Sequence, residues 1–192
     1  MDDALRRLEE LATAADVDEF ALNTEAIRIG SDLQGLRALV ERFAWSGDTL
    51  LVRAVAFPLA HAAWEFDERD ELEGLVLRFI EATGSTDDAG TLMTCSNAVH
   101  GLRAYGQLAV RTRHDKQLIG TFLLRCLQHD ATTVHAAVLE LMGHLQADGR
   151  LQQILTPEMA TAIRARLDQL APQEAADGYA FLSALRDFWR NP

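Results

Sequence analysis

HDATTVHAAVLELMG, residues 129–143, decides how the rest of the chain is read. A short turn closes at Asp130. The helix that follows carries Val134, Ala137, Val138, Leu141, Met142 and, just beyond, Leu145 at steps of three and four, which places them on one stripe. The skeleton is an aspartate, then an apolar residue four further on, then a small residue nine beyond that. It recurs as Asp48, Val52 and His61, as Asp88, Leu92 and Gly101, and more loosely as Asp16, Phe20 and Ile29 with Gly30. Successive aspartates lie 32, 40 and 42 positions apart, the length of one helical-hairpin repeat.

Composition points the same way. With 48% hydrophobic but only 7% aromatic residues, burial falls to alanine and leucine, which favour helix over strand. No alternating Val/Ile/Thr run and no Asn-Gly or Asp-Gly hairpin turn argues for a sheet. Of the formal charge of −11, residues 1–90 carry 20 acids against 8 bases, and residues 91–192 carry 9 against 10. Such an acidic half repels a phosphate backbone and attracts a cationic protein. Lys116 is the single lysine among the 18 bases, so a phosphate-binding lysine loop has no candidate.

The chain in order predicts ten helices. The first runs from Asp2 to about Ala14 on Leu5, Leu8 and Leu11. The second is capped by Asp16, holds Phe20, Ile27 and Ile29, and ends in a left-handed turn at Gly30. Ser31 or Asp32 caps the third, bearing Leu33, Leu36, Leu39, Val40 and Phe43, and Ser46-Gly47-Asp48 breaks it. The fourth spans Thr49 to Trp64 with a kink expected at Pro58. EFDERDELE, residues 65–73, leads into a fifth on Leu72, Leu75, Val76, Phe79 and Ile80. Asp87 or Asp88 starts a sixth, through Cys95, Val99 and Leu102 toward Gly106. Residues 107–116 read equally as a loop or an extra helical turn. The seventh holds Leu118, Phe122, Leu123 and Cys126, the opening stretch is the eighth, and Asp148-Gly149 stops it. Thr156-Pro157-Glu158 starts the ninth, and the tenth carries Tyr179, Leu182, Leu185 and Trp189. Five antiparallel pairs result, near residues 2–30, 31–65, 67–106, 115–147 and 157–190. No linker rich in Pro, Gly or Ser divides them, so one domain over 1–192 is expected.

LLRCLQHDATTVHAAVLELMGHL and LRALVERFAWSGDTLLVRAVAFPLAHA resemble HEAT repeats and the related HEAT-like repeats of bacterial lyase families. Asp48, Val52 and Arg53 match that family's opening of the second helix, and Met142-Gly143 nearly matches its close. The resemblance covers about residues 5–145 and implies a right-handed α-solenoid with the second helices on its inner surface. It also implies a ladder of aspartate-to-arginine bonds between neighbouring repeats, from which the chain departs at Met93 and His135. Gly101 and Gly143, inside helices where glycine costs about 1 kcal/mol relative to alanine, are expected to admit a neighbouring repeat or to act as hinges.

Chemistry-bearing motifs are sparse. There is no GxGxxG, no HExxH and no His-Glu dipeptide, the ligand pair of HEAT-like di-iron hydroxylases. His61, His100 and His144 fall nine, eight and ten residues after their repeat's apolar marker. One residue of offset turns a side chain by about 100°, so they cannot face one metal. Ser96 and His100 share a helix face at i and i+4 without an orienting acid. Cys95 and Cys126 sit on apolar stripes and read as small buried hydrophobes of a reducing cytoplasm. MDDALRRLEE has no signal-peptide character, and the longest apolar passage is too short to span a membrane.

Two functions are therefore expected. The first is a non-catalytic protein-binding module, of inhibitor, immunity or adaptor type, without cofactor or metal. Its acidic half meets a basic protein surface through Trp64, Glu65, Asp67, Glu68, Asp70, Glu71 and Glu73, an aromatic anchor beside acids. A solvated helix start would show the same acids, which favour the helix dipole. The second is a HEAT-like enzyme of lyase, hydrolase or glycosylase type with an inner-face site drawn from Arg53, His61, His100 and His135. A glycosylase would set aromatics such as Trp45 and Trp64 beside an acid, but against a basic surface that this half lacks.

Overall fold

The computed structural model describes residues 1–66, 69–104, 108, 110–173 and 181–190. Among them the chain is all-helical, with eleven α-helices and no strand. They belong to two compact units, Met1–Leu108 and Ala109–Pro192.

In unit 1 the helices are α1 (Asp2–Ala12), α2 (Glu19–Ile29), α3 (Leu33–Phe43), α4 (Thr49–Glu65), α5 (Arg69–Ala82) and α6 (Ala89–Ala104). Consecutive helices pack as three hairpins, α1 with α2, α3 with α4, and α5 with α6. The hairpins lie side by side, with α2, α4 and α6 neighbours in turn and α3 against α5. The central helix is α4, which touches the other five. Its buried residues, including Leu51, Val52, Val55, Leu59, Ala62 and Ala63, spread over most of its circumference, as a helix surrounded by others requires.

Aspartates start most of these helices. Asp18, Asp32 and Asp48 each accept a backbone N–H in the first turn of the helix that follows, and Asp88 accepts from the Thr91 N–H at 2.7 Å. The cap of α2 is thus Asp18 rather than Asp16. Leu22, Ala26 and Ile29 form its buried stripe, while of the apolar residues read on this helix Phe20 is 82% exposed and Ile27 39%. Gly30 is also not left-handed, with φ at −80°. Its lack of a side chain makes room instead, since a Cβ there would stand 2.6 Å from the Pro58 Cβ. α4 runs through Pro58 without interruption, the proline being buried against this glycine.

Unit 2 contains α7 (Arg113–Gln128), α8 (Thr132–Ala147), the single turn α9 (Leu151–Ile154), α10 (Pro157–Leu170) and α11 (Leu182–Arg190), with a 3-10 turn over Ala171–Gln173. α7 pairs with α8 and α10 with α11. α10 lies against α7, α11 against α8, and α9 against both α7 and α8. α9 is the element that the periodicity does not announce, because four residues are too few to show a period. Of the residues left open between loop and helix, 110–112 are not helical. A capping box in which Thr112 and Asp115 exchange bonds begins α7 at Arg113. Thr156 caps α10 by accepting from the Met159 N–H, with Pro157 in the first turn. Arg166 of α10 donates to the Leu127 carbonyl at 2.7 Å, satisfying one of the carbonyls left over at the end of α7.

Two close approaches match expectation. A Cβ on Gly101 would fall 2.9 Å from the Ala63 backbone, which brings α6 against α4, and one on Gly143 would collide with the Phe181 ring. Gly120, whose Cβ would meet the Met159 sulfur at 2.6 Å, plays the same part on α7 without having stood out in the sequence. Cys95 and Cys126 are buried. No described helix is long and apolar enough to cross a membrane. Tyr179, Gly106 and Gln107 lie outside the described residues.

Candidate functional site

Arg53 stands near the start of α4, five residues after Asp48, which begins the helix by accepting from the Leu50 and Leu51 N–H groups. Its guanidinium donates through Nε and Nη2 to the two carboxylate oxygens of Asp88, at 3.1 and 2.6 Å, and through Nη1 to Glu19 at 3.3 Å. Asp88 also accepts from the Thr91 hydroxyl at 2.8 Å. Burial would raise the Asp88 carboxyl, but the Arg53 fork and the two Thr91 bonds outweigh it and hold the group below the usual carboxylate range. The Asp88 bond raises the Arg53 guanidinium in return. Arg53 therefore ties α4 to the start of α6 and to α2.

The other residues of the expected inner-face site divide between the units. His135, on α8 of unit 2, is 3% exposed, and its Nε2 meets the His129 carbonyl at 2.5 Å, which requires that nitrogen to carry the proton. Burial, reinforced by the charge of Arg166, lowers its pKa. His129 accepts the Ala131 N–H through Nδ1 at 2.9 Å, so these two imidazoles close the turn before α8. Asp130 is exposed and α8 has no side-chain cap, so the aspartate of the opening stretch does not do what Asp48 and Asp88 do. His61 is exposed on α4. His100 on α6 sets its ring edge-on to Trp64, centroids 5.5 Å apart and planes at 69°, with an Arg103 nitrogen 3.5 Å from its Nε2. Ser96 is buried and donates to the Leu92 carbonyl, so its hydroxyl is engaged within its own helix. Among the described residues no group of three or more His, Cys, Asp or Glu is gathered to hold a metal.

The acidic stretch is divided as well. Glu65 ends α4 and is exposed, as are Asp70 and Glu71 on α5, but Glu71 already accepts from Arg37 at 3.0 Å. Glu73 is buried at 7% exposure and so cannot face a partner. Its place on α5, one residue after Leu72, turns it toward the helices rather than toward water. Asp67 and Glu68 lie outside the described residues. Across unit 1, Arg6, Arg28, Arg37, Arg42, Arg53 and Arg78 all pair with carboxylates of the same unit. With 20 acids against 9 bases in residues 1–108, the surplus charge is negative.

The same unit has an open groove of about 530 Å³ over α2, α4 and α6, lined by Ile27, Phe57, Ala60, His61, Trp64, Thr94 and Asn97. Phe57, Ala60, His61 and Trp64 repeat at steps of three, one and three, so they share one outward face of α4. Phe57 is 38% exposed and Trp64 39%. The sequence marked Trp64 and His61 but missed Phe57 and Ile27. Phe57 disappears into an apolar run, and Ile27 is one of several apolar residues of α2. A second cleft, of about 580 Å³, opens at the turns of the middle and third hairpins between Trp45, Thr49, Val52, Thr83 and Asp87. There the Arg78 guanidinium sits 6.0 Å from the centre of the Trp45 ring. Neither protein-family models, nor curated proteins, nor solved structures match the chain.

Proposed function

We propose that the chain is a non-catalytic protein-binding module built of HEAT-like hairpins, and that unit 1 receives a cationic protein. The observation that carries this reading is the surplus of carboxylates in unit 1, 20 acids against 9 bases, at least six of those bases being already paired inside the unit. Such a surface steers a basic partner and speeds its association. The repeat reading draws support from the side-by-side hairpins and from the Arg53–Asp88 bond, one rung of the ladder that the HEAT resemblance implies. An inner-face enzyme has less behind it, because Arg53 is held by Asp88 and Glu19 and the Ser96 hydroxyl by its own helix.

The test is binding of a labelled lysine-rich peptide to the whole chain, followed by fluorescence anisotropy across a salt series. Charge reversal of Glu65, Asp70 and Glu71 together to lysine is expected to weaken binding at least about tenfold at low salt, as loss of a steering surface should. Binding indifferent both to salt and to those reversals would refute the reading.

A further inference from the structure

We infer that the groove over α2, α4 and α6 seats the apolar face of an amphipathic, lysine- or arginine-bearing helix. This rests on the proposal that unit 1 receives a cationic protein, and it names the part of that protein which docks. α4 is enclosed by five helices, yet on its remaining face it carries Phe57 and Trp64 outward, with Ile27 of α2 beside them, each more than a third exposed. Aromatic and aliphatic side chains gathered at one exposed place mark an interaction surface rather than scattered surface apolarity.

The dimensions suit a helix. Phe57 and Trp64 are seven residues apart on α4, about 10 Å along its axis, the distance between anchors at i and i+7 of a second helix laid alongside. The chemistry suits an apolar face more than a polar small molecule. The Thr94 hydroxyl is bonded to the Gly90 carbonyl at 2.8 Å, leaving few polar groups converging on the groove. Trp64 already packs against the His100 ring, a contact that favours one position of the anchor before anything docks. The surplus of carboxylates on the same unit selects cationic flanks for the incoming helix.

Four labelled peptides test this against the whole chain. They are a leucine/lysine helix of about four turns with an apolar stripe, a scrambled isomer of the same charge without the stripe, a leucine/glutamate helix with the stripe, and a lysine oligomer. The stripe-bearing lysine peptide is expected to bind at least about tenfold tighter than its scrambled isomer. It should lose that advantage in Phe57→Ser and in Ile27→Ser, with circular dichroism and thermal melting confirming that each variant folds. Equal binding of the striped, scrambled and oligomeric lysine peptides, abolished by salt, overturns the groove and leaves the acidic receptor standing. Equal binding of the lysine and glutamate helices overturns the cationic receptor and leaves an apolar groove. An advantage that survives both substitutions overturns the groove, as does concentration-dependent self-association of the chain that those substitutions abolish, since the occupant is then a second copy. Absence of binding by all four overturns both readings.

Discussion

Arg53 and Asp88 show how one pair of side chains carries several structural duties. Asp88 accepts from Arg53, from the Thr91 hydroxyl and from the Thr91 backbone, so it pairs a charge and starts α6 at once. The pair is only partly buried, with side-chain exposures of 28% for Arg53 and 12% for Asp88. Removing Arg53 as Arg53→Met should therefore lower unfolding free energy by about 1–3 kcal/mol. Asp88→Ala should cost more, because the helix start, by itself about 1 kcal/mol, is lost as well. Urea denaturation of both variants checks the order. Since bonding holds the Asp88 carboxyl below its unfolded value, its contribution is present above the ordinary carboxylate range and disappears as pH falls through the folded value. In Asp88→Asn the acid limb of the stability curve should flatten.

His135 has the opposite chemistry but the same dependence on pH. Burial lowers its pKa, so the folded protein favours the neutral ring while the unfolded chain takes up a proton. The stability it contributes is present above the ordinary histidine range and is lost as pH falls below about 6.5. Unfolding midpoints measured over mildly acid pH should fall in the natural protein and fall less in His135→Gln. An unchanged slope in that variant would show that another group is responsible.

At the level of elements, packing decides what glycine is for. Gly101 lies where a Cβ would press on the Ala63 backbone at 2.9 Å, and backbone cannot step aside. Gly101→Ala should destabilise the fold by about 1–3 kcal/mol despite the better helix propensity of alanine. Gly74 is also inside a helix, α5, but exposed and with nothing within 4 Å of its would-be Cβ. Gly74→Ala should stabilise by up to about 1 kcal/mol. Thermal melts of the pair measure the opposite signs directly. The same contrast applies to aspartates. Asp48 and Asp88 start helices, whereas α8 begins without a side-chain cap and the turn before it is closed by the imidazoles of His129 and His135.

At the scale of the molecule, charge separates the two units. Residues 1–108 carry 20 acids and 9 bases, and residues 109–192 carry 9 and 9. Each unit has its own buried aromatic, Phe43 and Phe79 in the first and Phe122 in the second. Residues 1–108 produced alone should be helical by circular dichroism and should retain binding of a lysine-rich peptide. Residues 109–192, with no surplus charge, should bind it at least about tenfold more weakly.

The sequence by itself determined helix content, most helix boundaries and most of the buried stripes, because periodicity, caps and breakers are local signals read within one or two turns. Thr156-Pro157 and Ser46-Gly47-Asp48 needed nothing from the rest of the chain to mark where helices begin and end. Tertiary structure decided that Phe20 and Ile27 face outward. It also decided that Glu73 is buried within the acidic stretch, and that Arg53 is held by Asp88, 35 positions away. It alone brought Ile27 beside Phe57 and Trp64. These outcomes depend on which helices become neighbours, and contact between residues far apart in the chain leaves no period in the sequence to read.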